Sequence, residues 1–212
     1  MGYNLCIFDL DGTLIDTSAD INNAANDMLL HFGLKKIEKE QTTRYVGDGI
    51  RKFVERCIDG QAVDIEEAIF FFEEAYFTRK VETTRPYSGI VDVLEGISDK
   101  YLSVLTNKSY EISKAIIDAL GLSHYFETIV GGDTVEKKKP FPDGIEHILS
   151  KSGIPKQEAV MIGDGLTDIL SAKKAGIASV YVSYGFTKTE QIVHLGPDHI
   201  VNSPHELLPI CG

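Results

Sequence analysis

Leu5-Cys6-Ile7-Phe8-Asp9-Leu10-Asp11-Gly12-Thr13-Leu14 is the stretch on which the fold turns. The apolar run Leu5 to Phe8 predicts a buried β-strand, and Gly12 marks a sharp turn at its carboxyl end. Asp9 and Asp11 then stand together at the mouth of a sheet, where open α/β folds place their ligands. Asp-Gly is also a common turn pair, so this dipeptide alone requires no chemistry. Two anions this close repel, and burying them without compensation is costly. A divalent metal such as Mg²⁺ supplies the compensation. One carboxylate is then free to attack an electrophile while the other handles a proton, as phosphoryl transfer through an aspartyl-phosphate requires.

Working outward, Asp16 to Phe32 carries Ile21, Ala24, Ala25, Met28, Leu29 and Phe32 at helical spacing, with Gly33 as a stop. Gly49 to Ile58 and Ile65 to Lys80 predict further helices, the latter with Ile69, Phe72, Ala75 and Tyr76 on one face. The aromatics of Ile69 to Phe72 read as core packed between helices. No strand is expected between Asp16 and Arg85, so residues 16–85 read as a helical unit. Beyond Pro86-Tyr87-Ser88-Gly89, strands and helices alternate. Strands are predicted at Leu102–Leu105, Thr128–Val130, Ala159–Ile162, Val180–Val182 and Ile200–Val201. Helices are predicted at Ile90–Ile97, Ile112–Leu120, Gly144–Lys151 and Thr167–Lys174. The alternation predicts an α/β fold: a doubly wound, mainly parallel sheet built from residues 1–15 and 86–212, with the helical unit inserted.

Composition sets the outer bounds. A chain of 212 residues with 43% hydrophobic and 25% charged content forms a sizeable core. The formal charge of −11 argues against nucleic-acid binding. Cys6, Cys57 and Cys211 are odd in number and widely spaced, which argues against a disulfide framework and for a reducing compartment. No secretion-like or membrane-spanning run stands out, so a cytoplasmic monomer or homodimer is expected.

Three more polar clusters follow predicted strands. Thr106-Asn107-Lys108 offers a hydroxyl and backbone N–H groups to phosphoryl oxygens, although Thr and Asn also suit a helix cap. In Lys137-Lys138-Lys139-Pro140-Phe141-Pro142 the first two lysines read as a solvated face. The prolines fix the direction in which Lys139 leaves its loop, and a fixed cation there balances carboxylates and phosphoryl charge. In Gly163-Asp164-Gly165-Leu166-Thr167-Asp168, both acids suit a metal and its waters, while Asp168 also suits a helix N-terminus.

The order Asp9-Leu10-Asp11-Gly12-Thr13, Thr106, Lys139, Asp164 and Asp168 resembles the four motifs of the haloacid dehalogenase superfamily. The resemblance spans nearly the whole chain. Phe8 to Thr17, Gly131-Gly132-Asp133 and Lys139-Pro140-Phe141-Pro142 are similar to the phosphoglycolate phosphatase branch. It implies a Rossmann-like core with a helical cap at 16–85. It also implies a Mg²⁺-dependent phosphatase of a small phosphorylated metabolite, 2-phosphoglycolate first. Asp9 is then the nucleophile and Asp11 the acid and base. Thr106 and Lys139 hold the phosphoryl group, with Gly12, Thr13 and Asn107 beside it. Mg²⁺ is implied on Asp9, the Asp11 backbone carbonyl and Asp164, with Asp168 positioning metal waters or Lys139. Tyr45 to Arg51 resembles the cap loop facing the substrate, which places Gly47 at close backbone approach and Arg51 against a substrate carboxylate. Gly165 departs from relatives that carry Ser or Thr there.

The same resemblance disfavours its neighbours. Asp11 argues against dehalogenation, the lack of a His near Ile21 against a sugar-phosphate mutase, and the Asp11 pattern against a phosphonate-cleaving role for Lys52. Alternatives that keep the machinery are a pyrophosphatase and a sugar-phosphate or nucleotide phosphatase. Outside the enzymes stand a phosphoryl-accepting signalling domain and a non-catalytic metal or phosphate binder.

Overall fold

The computed structural model describes residues 2–212. In chain order the elements are β1 (Leu5–Phe8), β2 (Ile15–Asp16), α1 (Ser18–His31), α2 (Lys39–Tyr45), α3 (Ile50–Ile58), α4 (Ile65–Arg79) and β3 (Arg85–Pro86). There follow α5 (Ile90–Gly96), β4 (Tyr101–Leu105), α6 (Tyr110–Ala119), β5 (Thr128–Val130), α7 (Asp143–Ser152) and β6 (Ala159–Gly163). The chain closes with α8 (Leu166–Ala175), β7 (Ala178–Val182), α9 (Thr189–Ile192), β8 (His199–Val201) and α10 (Leu208–Cys211).

Six strands form one parallel sheet in the order β5-β4-β1-β6-β7-β8. All four residues of β1 are fully buried because helices cover both faces of the sheet. Cys6 and Phe8 join the larger core with Val104, Val160 and Ile90, while Leu5 and Ile7 face Ile145 and Met161. From β1 the chain proceeds outward first through β4 and β5, then in the opposite direction through β6, β7 and β8. The strand order therefore reverses beside β1, and a crevice opens there at the carboxyl ends of the strands. Asp9 and Asp11 follow β1 directly into that crevice.

Between β1 and β4, helices α1 to α4 pack together. Ala24, Ala25 and Met28 of α1 share a core with Ala68, Phe72 and Tyr76 of α4. Two expectations are overturned, the absence of strand and the core place of Phe70, and one helix appears that the sequence pattern does not announce. Ile15 and Asp16 pair antiparallel with Pro86 and Arg85, a ribbon too short to carry any sequence period. α2 has Thr42 as its one buried residue, so it shows no apolar stripe. Phe70 is 58% exposed rather than core, because the helical period turns it away from the face that buries Phe72 and Tyr76.

The return crossing is fastened by Asp20. Its fully buried carboxylate accepts from the backbone N–H groups of Thr83 (3.0 Å) and Thr84 (2.9 Å) and from both hydroxyls (2.6 and 2.7 Å). Burial alone would raise this carboxyl, but these hydrogen bonds hold it below its ordinary value. Asp20→Ala leaves four donors without their acceptor. Urea denaturation should show a loss of about 2–3 kcal/mol, and a loss under about 0.5 kcal/mol would deny Asp20 this fastening role.

All three cysteines are buried and free. Among the described residues, no helix is long and apolar enough to cross a membrane.

Candidate active site

A cavity of about 100 Å³ opens at the reversal point, floored by the ends of β1, β4 and β6 and roofed by α1, α3 and α4. Asp9, Asp11, Thr106, Asn107, Lys139 and Asp164 line it together, although up to 155 positions separate them in sequence.

Lys139 is the hub. Its ammonium donates to Asp168 Oδ1 (2.6 Å) and the Leu105 carbonyl (2.7 Å), and it lies 2.8 Å from Asp9 Oδ1. That occupies all three of its N–H groups. Burial alone would lower the Lys139 ammonium, but Asp168 and Asp9 together raise it, so it stays charged. Asp168 uses its other oxygen to accept from the Gly165 N–H at 2.9 Å, at the start of α8. Both of its oxygens are thus engaged, one in orienting Lys139 and one in capping a helix. Asp9 Oδ1 also accepts from the Leu10 N–H (2.7 Å), and Asp9 Oδ2 takes no hydrogen bond among the described residues.

Asp164 is held from the opposite side. The backbone N–H groups of Phe186 (2.6 Å) and Thr187 (3.2 Å), in the loop after β7, donate to its Oδ2. Thr13 Oγ1 lies 3.4 Å from Oδ1. Gly12 adopts φ +80°, and a Cβ there would come within 2.6 Å of Asp164 Oδ2. The turn after β1 therefore needs glycine twice over, for its left-handed backbone and for the approach to Asp164.

Asp9, Asp164 and Asp168 each bring a carboxylate oxygen within 4.8 Å of the others. One ammonium cannot neutralise three buried carboxylates. Burial first, then Asp9 and Asp168, push Asp164 up to about 8. Burial and then Asp168 push Asp9 upward as well, against the pull of Lys139. The uncompensated charge and the hard oxygen donors suit a small divalent cation.

Asp11 faces a different set of groups. Its Oδ1 accepts from the Thr17 hydroxyl (2.6 Å) and from the Lys108 ammonium (2.7 Å). Thr106 is buried beside it, its N–H on the Val130 carbonyl (3.0 Å) and its hydroxyl accepting from the Lys108 N–H (3.2 Å). Asn107 donates to the Lys139 carbonyl (2.9 Å) and the Gly47 carbonyl (2.8 Å), which spends its amide hydrogens on tying the loop after α2 to the sheet. Its buried Oδ1 has no hydrogen-bond partner among the described residues. Gly47 and Gly49, both at positive φ, line the cavity as that loop passes over it.

Arg51 is not brought to the cavity. It pairs with Glu66 on the outer surface, its side chain 49% exposed. The helical period of α3 turns Ile50 and Phe53 inward instead. The sequence pattern assigns no chemistry to the side chains of Lys108 and Tyr76, yet both line the cavity. Lys108 follows Thr106 by two positions, and that spacing was the available signal. Tyr76 looked like one more apolar helix position.

The comparisons bear on this arrangement. Residues 6–182 match the family model of haloacid dehalogenase-like hydrolases. A phosphoglycolate phosphatase of Chromobacterium violaceum is 37% identical over 208 residues, covering 94% of this chain and 92% of that one. Another, from Aquifex aeolicus, is 35% identical over 206 residues, covering 96% and 94%. Among solved structures, a haloacid dehalogenase-like family hydrolase from Streptococcus pneumoniae superposes with a TM-score of 0.88 at 25% identity, covering 98% and 97%. The matched span takes in every acid and lysine gathered around Lys139, and the chain belongs to the haloacid dehalogenase-like hydrolases.

Proposed function

We propose that the protein is a Mg²⁺-dependent phosphatase that hydrolyses 2-phosphoglycolate through an aspartyl-phosphate on Asp9. The observation that carries this reading is the pairing of Asp9, with one carboxylate oxygen unengaged, against Asp11, set two residues on in a separate hydrogen-bond environment. The curated relatives supply the substrate, since proteins 34–37% identical over nearly the whole chain are named phosphoglycolate phosphatases.

In this reading Asp9 attacks phosphorus, and Asp11 protonates the departing glycolate oxygen. Asp11 then takes a proton from the water that cleaves the phospho-Asp9 bond. Lys139 and the Thr106 hydroxyl hold phosphoryl oxygens as charge builds on them. Asp9, Asp164 and the Asp11 backbone carbonyl would hold Mg²⁺, which when bound adds electrophilic stabilisation of the transferring group. Asp168 keeps Lys139 aimed. Residues 16–85 act as a cap that excludes water and selects the leaving group, with Gly47 at its edge. The free thiols fit a cytoplasmic setting.

The test is phosphate release from a panel of phosphomonoesters and pyrophosphate, with Mg²⁺ and with chelator, against an Asp9→Asn blank. Mg²⁺-dependent turnover led by 2-phosphoglycolate is the expected result. Equal turnover with chelator, or a different leading substrate, contradicts it.

Metal binding should also appear in stability. Asp9 and Asp164 are raised in the fold above the ordinary carboxylate value of about 4. The metal-free fold therefore binds more protons than the unfolded chain and loses stability as pH rises through the folded values. Mg²⁺ needs deprotonated ligands, so the stability it adds grows across the same window. Melting curves between about pH 5.5 and 8.5 should show the metal-free Tm falling. The Mg²⁺-induced gain should widen to about 5–10 °C at a hundredfold excess over Kd. A gain that stays flat or shrinks toward high pH would remove the acid cluster as the metal site.

A further inference from the structure

Two cations line the cavity, Lys139 and Lys108. Lys139 serves Asp9, Asp168 and the Leu105 carbonyl, and the N–H that faces Asp9 is the one the phosphatase reading gives to the transferring phosphoryl group. The Lys108 ammonium makes two contacts, to Asp11 Oδ1 and to the Tyr76 hydroxyl, both at 2.7 Å, and lies 4.6 Å from the centre of the Tyr76 ring. An ammonium has three N–H groups, so Lys108 keeps one for a ligand. Tyr76 accepts from Lys108 and so keeps its own O–H to donate, and burial holds that phenol protonated by pushing it up to about 12. The cap side of the cavity offers apolar Ile50, Phe53 and Phe72 and the carboxylate Glu73, but no cation.

We propose that Lys108 and Tyr76 form the specificity site for the leaving group's carboxylate, reading an anion placed one carbon from the ester oxygen. The inference rests on the phosphatase reading above and deepens it. Asp11 serves the ester oxygen, and Lys108 is hydrogen-bonded to Oδ1 of that same carboxylate. A carboxylate one methylene from the ester oxygen therefore falls within reach of the ammonium. A longer leaving group carries its anion past Lys108 and against Phe53 and Phe72, where it loses water and gains no partner. Lys108 comes from the loop after β4 and Tyr76 from α4, so the site is whole only with the helical unit seated on the sheet. Substrate choice and cap seating are thereby one event.

The experiment compares kcat/KM for 2-phosphoglycolate, ethyl phosphate (a methyl group in place of the carboxylate) and 3-phosphopropionate (one methylene longer), with Mg²⁺ present. Wild type should favour 2-phosphoglycolate over both. Lys108→Met removes the ammonium from every substrate's site, so the readout is the ratio of 2-phosphoglycolate to ethyl phosphate. That ratio should fall about 10- to 100-fold, as for a lost charge-assisted hydrogen bond. Tyr76→Phe, which keeps the ring and leaves Asp11 untouched, should lower it about 2- to 10-fold, mainly through KM. Calorimetry of 2-phosphoglycolate on the Asp9→Asn protein should show Kd weakening in the same order when each change is added.

A wild-type preference for 2-phosphoglycolate with an unchanged ratio in both variants overturns the inference and leaves the phosphatase reading standing. A wild type that hydrolyses ethyl phosphate with no preference for 2-phosphoglycolate overturns the substrate itself, and the inference with it.

Discussion

Asp9→Asn should slow phosphate release at least about 10⁴-fold while leaving the protein folded. The amide has nearly the shape of the carboxylate but no anionic oxygen, so no phosphoryl-enzyme forms. Lys139 retains its bonds to Asp168 and the Leu105 carbonyl, and the hub of the site survives. Stability should move the other way. Burial and Asp168 push the Asp9 carboxyl upward, so the ionised group costs the metal-free fold free energy that an amide does not. Without metal at about pH 8, the variant should melt no lower than wild type. Phosphate release assays and melting curves on one preparation check both halves. Turnover above about 1% of wild type would remove Asp9 as the nucleophile. Lost turnover accompanied by a collapsed Tm would instead make Asp9 a structural residue.

The parallel sheet was legible because its strands are short apolar runs that end in acids or hydroxyls. Val160-Met161-Ile162 before Asp164 and Leu102 to Leu105 before Thr106 share the pattern of Leu5 to Phe8 before Asp9. Side chains that finish such strands have few places to go other than the crevice. The acids and the lysine that line the crevice are therefore visible in one dimension. What escaped depended on two elements meeting. The ribbon of β2 and β3 joins residues about 70 apart with no period of its own, and no local signal announces it. Tyr76 is apolar by position and polar by tip. Its burial on α4 was legible, and its hydroxyl on Lys108 was not, because that contact forms only when the helical unit sits on the sheet.

Arg51 shows the converse. A cation at the second position of α3, just after the Gly47–Gly49 loop, reads as available to a substrate anion. The helix directs Ile50 and Phe53 to the cavity and leaves Arg51 on Glu66 outside. The loop before α3 lines the cavity, but a sequence motif does not set the rotation of the helix that follows it. Asn107 lines the cavity, yet its two amide hydrogens go to the Gly47 and Lys139 carbonyls. Its donors therefore tie the loop after α2 to the sheet.

Lys139→Met should cost about 3–5 kcal/mol at about pH 8, in addition to an activity loss of at least about 10³-fold. The side chain is fully enclosed, and its removal leaves Asp168, with no exposure at all, holding one N–H bond to Gly165. The Leu105 carbonyl loses its side-chain donor, and Asp9 keeps only the Leu10 N–H. Three crowded carboxylates then lack any cation. The folded values of Asp9 and Asp164 rise further above the unfolded ones, and the penalty deepens as pH increases. Urea denaturation without metal should accordingly show the variant closest to wild type at about pH 5 and furthest from it at about pH 8. Adding Asp168→Asn to Lys139→Met should recover part of the loss at pH 8, because the stranded charge is gone. A penalty independent of pH, and untouched by Asp168→Asn, would mean that Lys139 supports the fold through packing alone. Its place at the centre of the acid cluster would then have no electrostatic purpose.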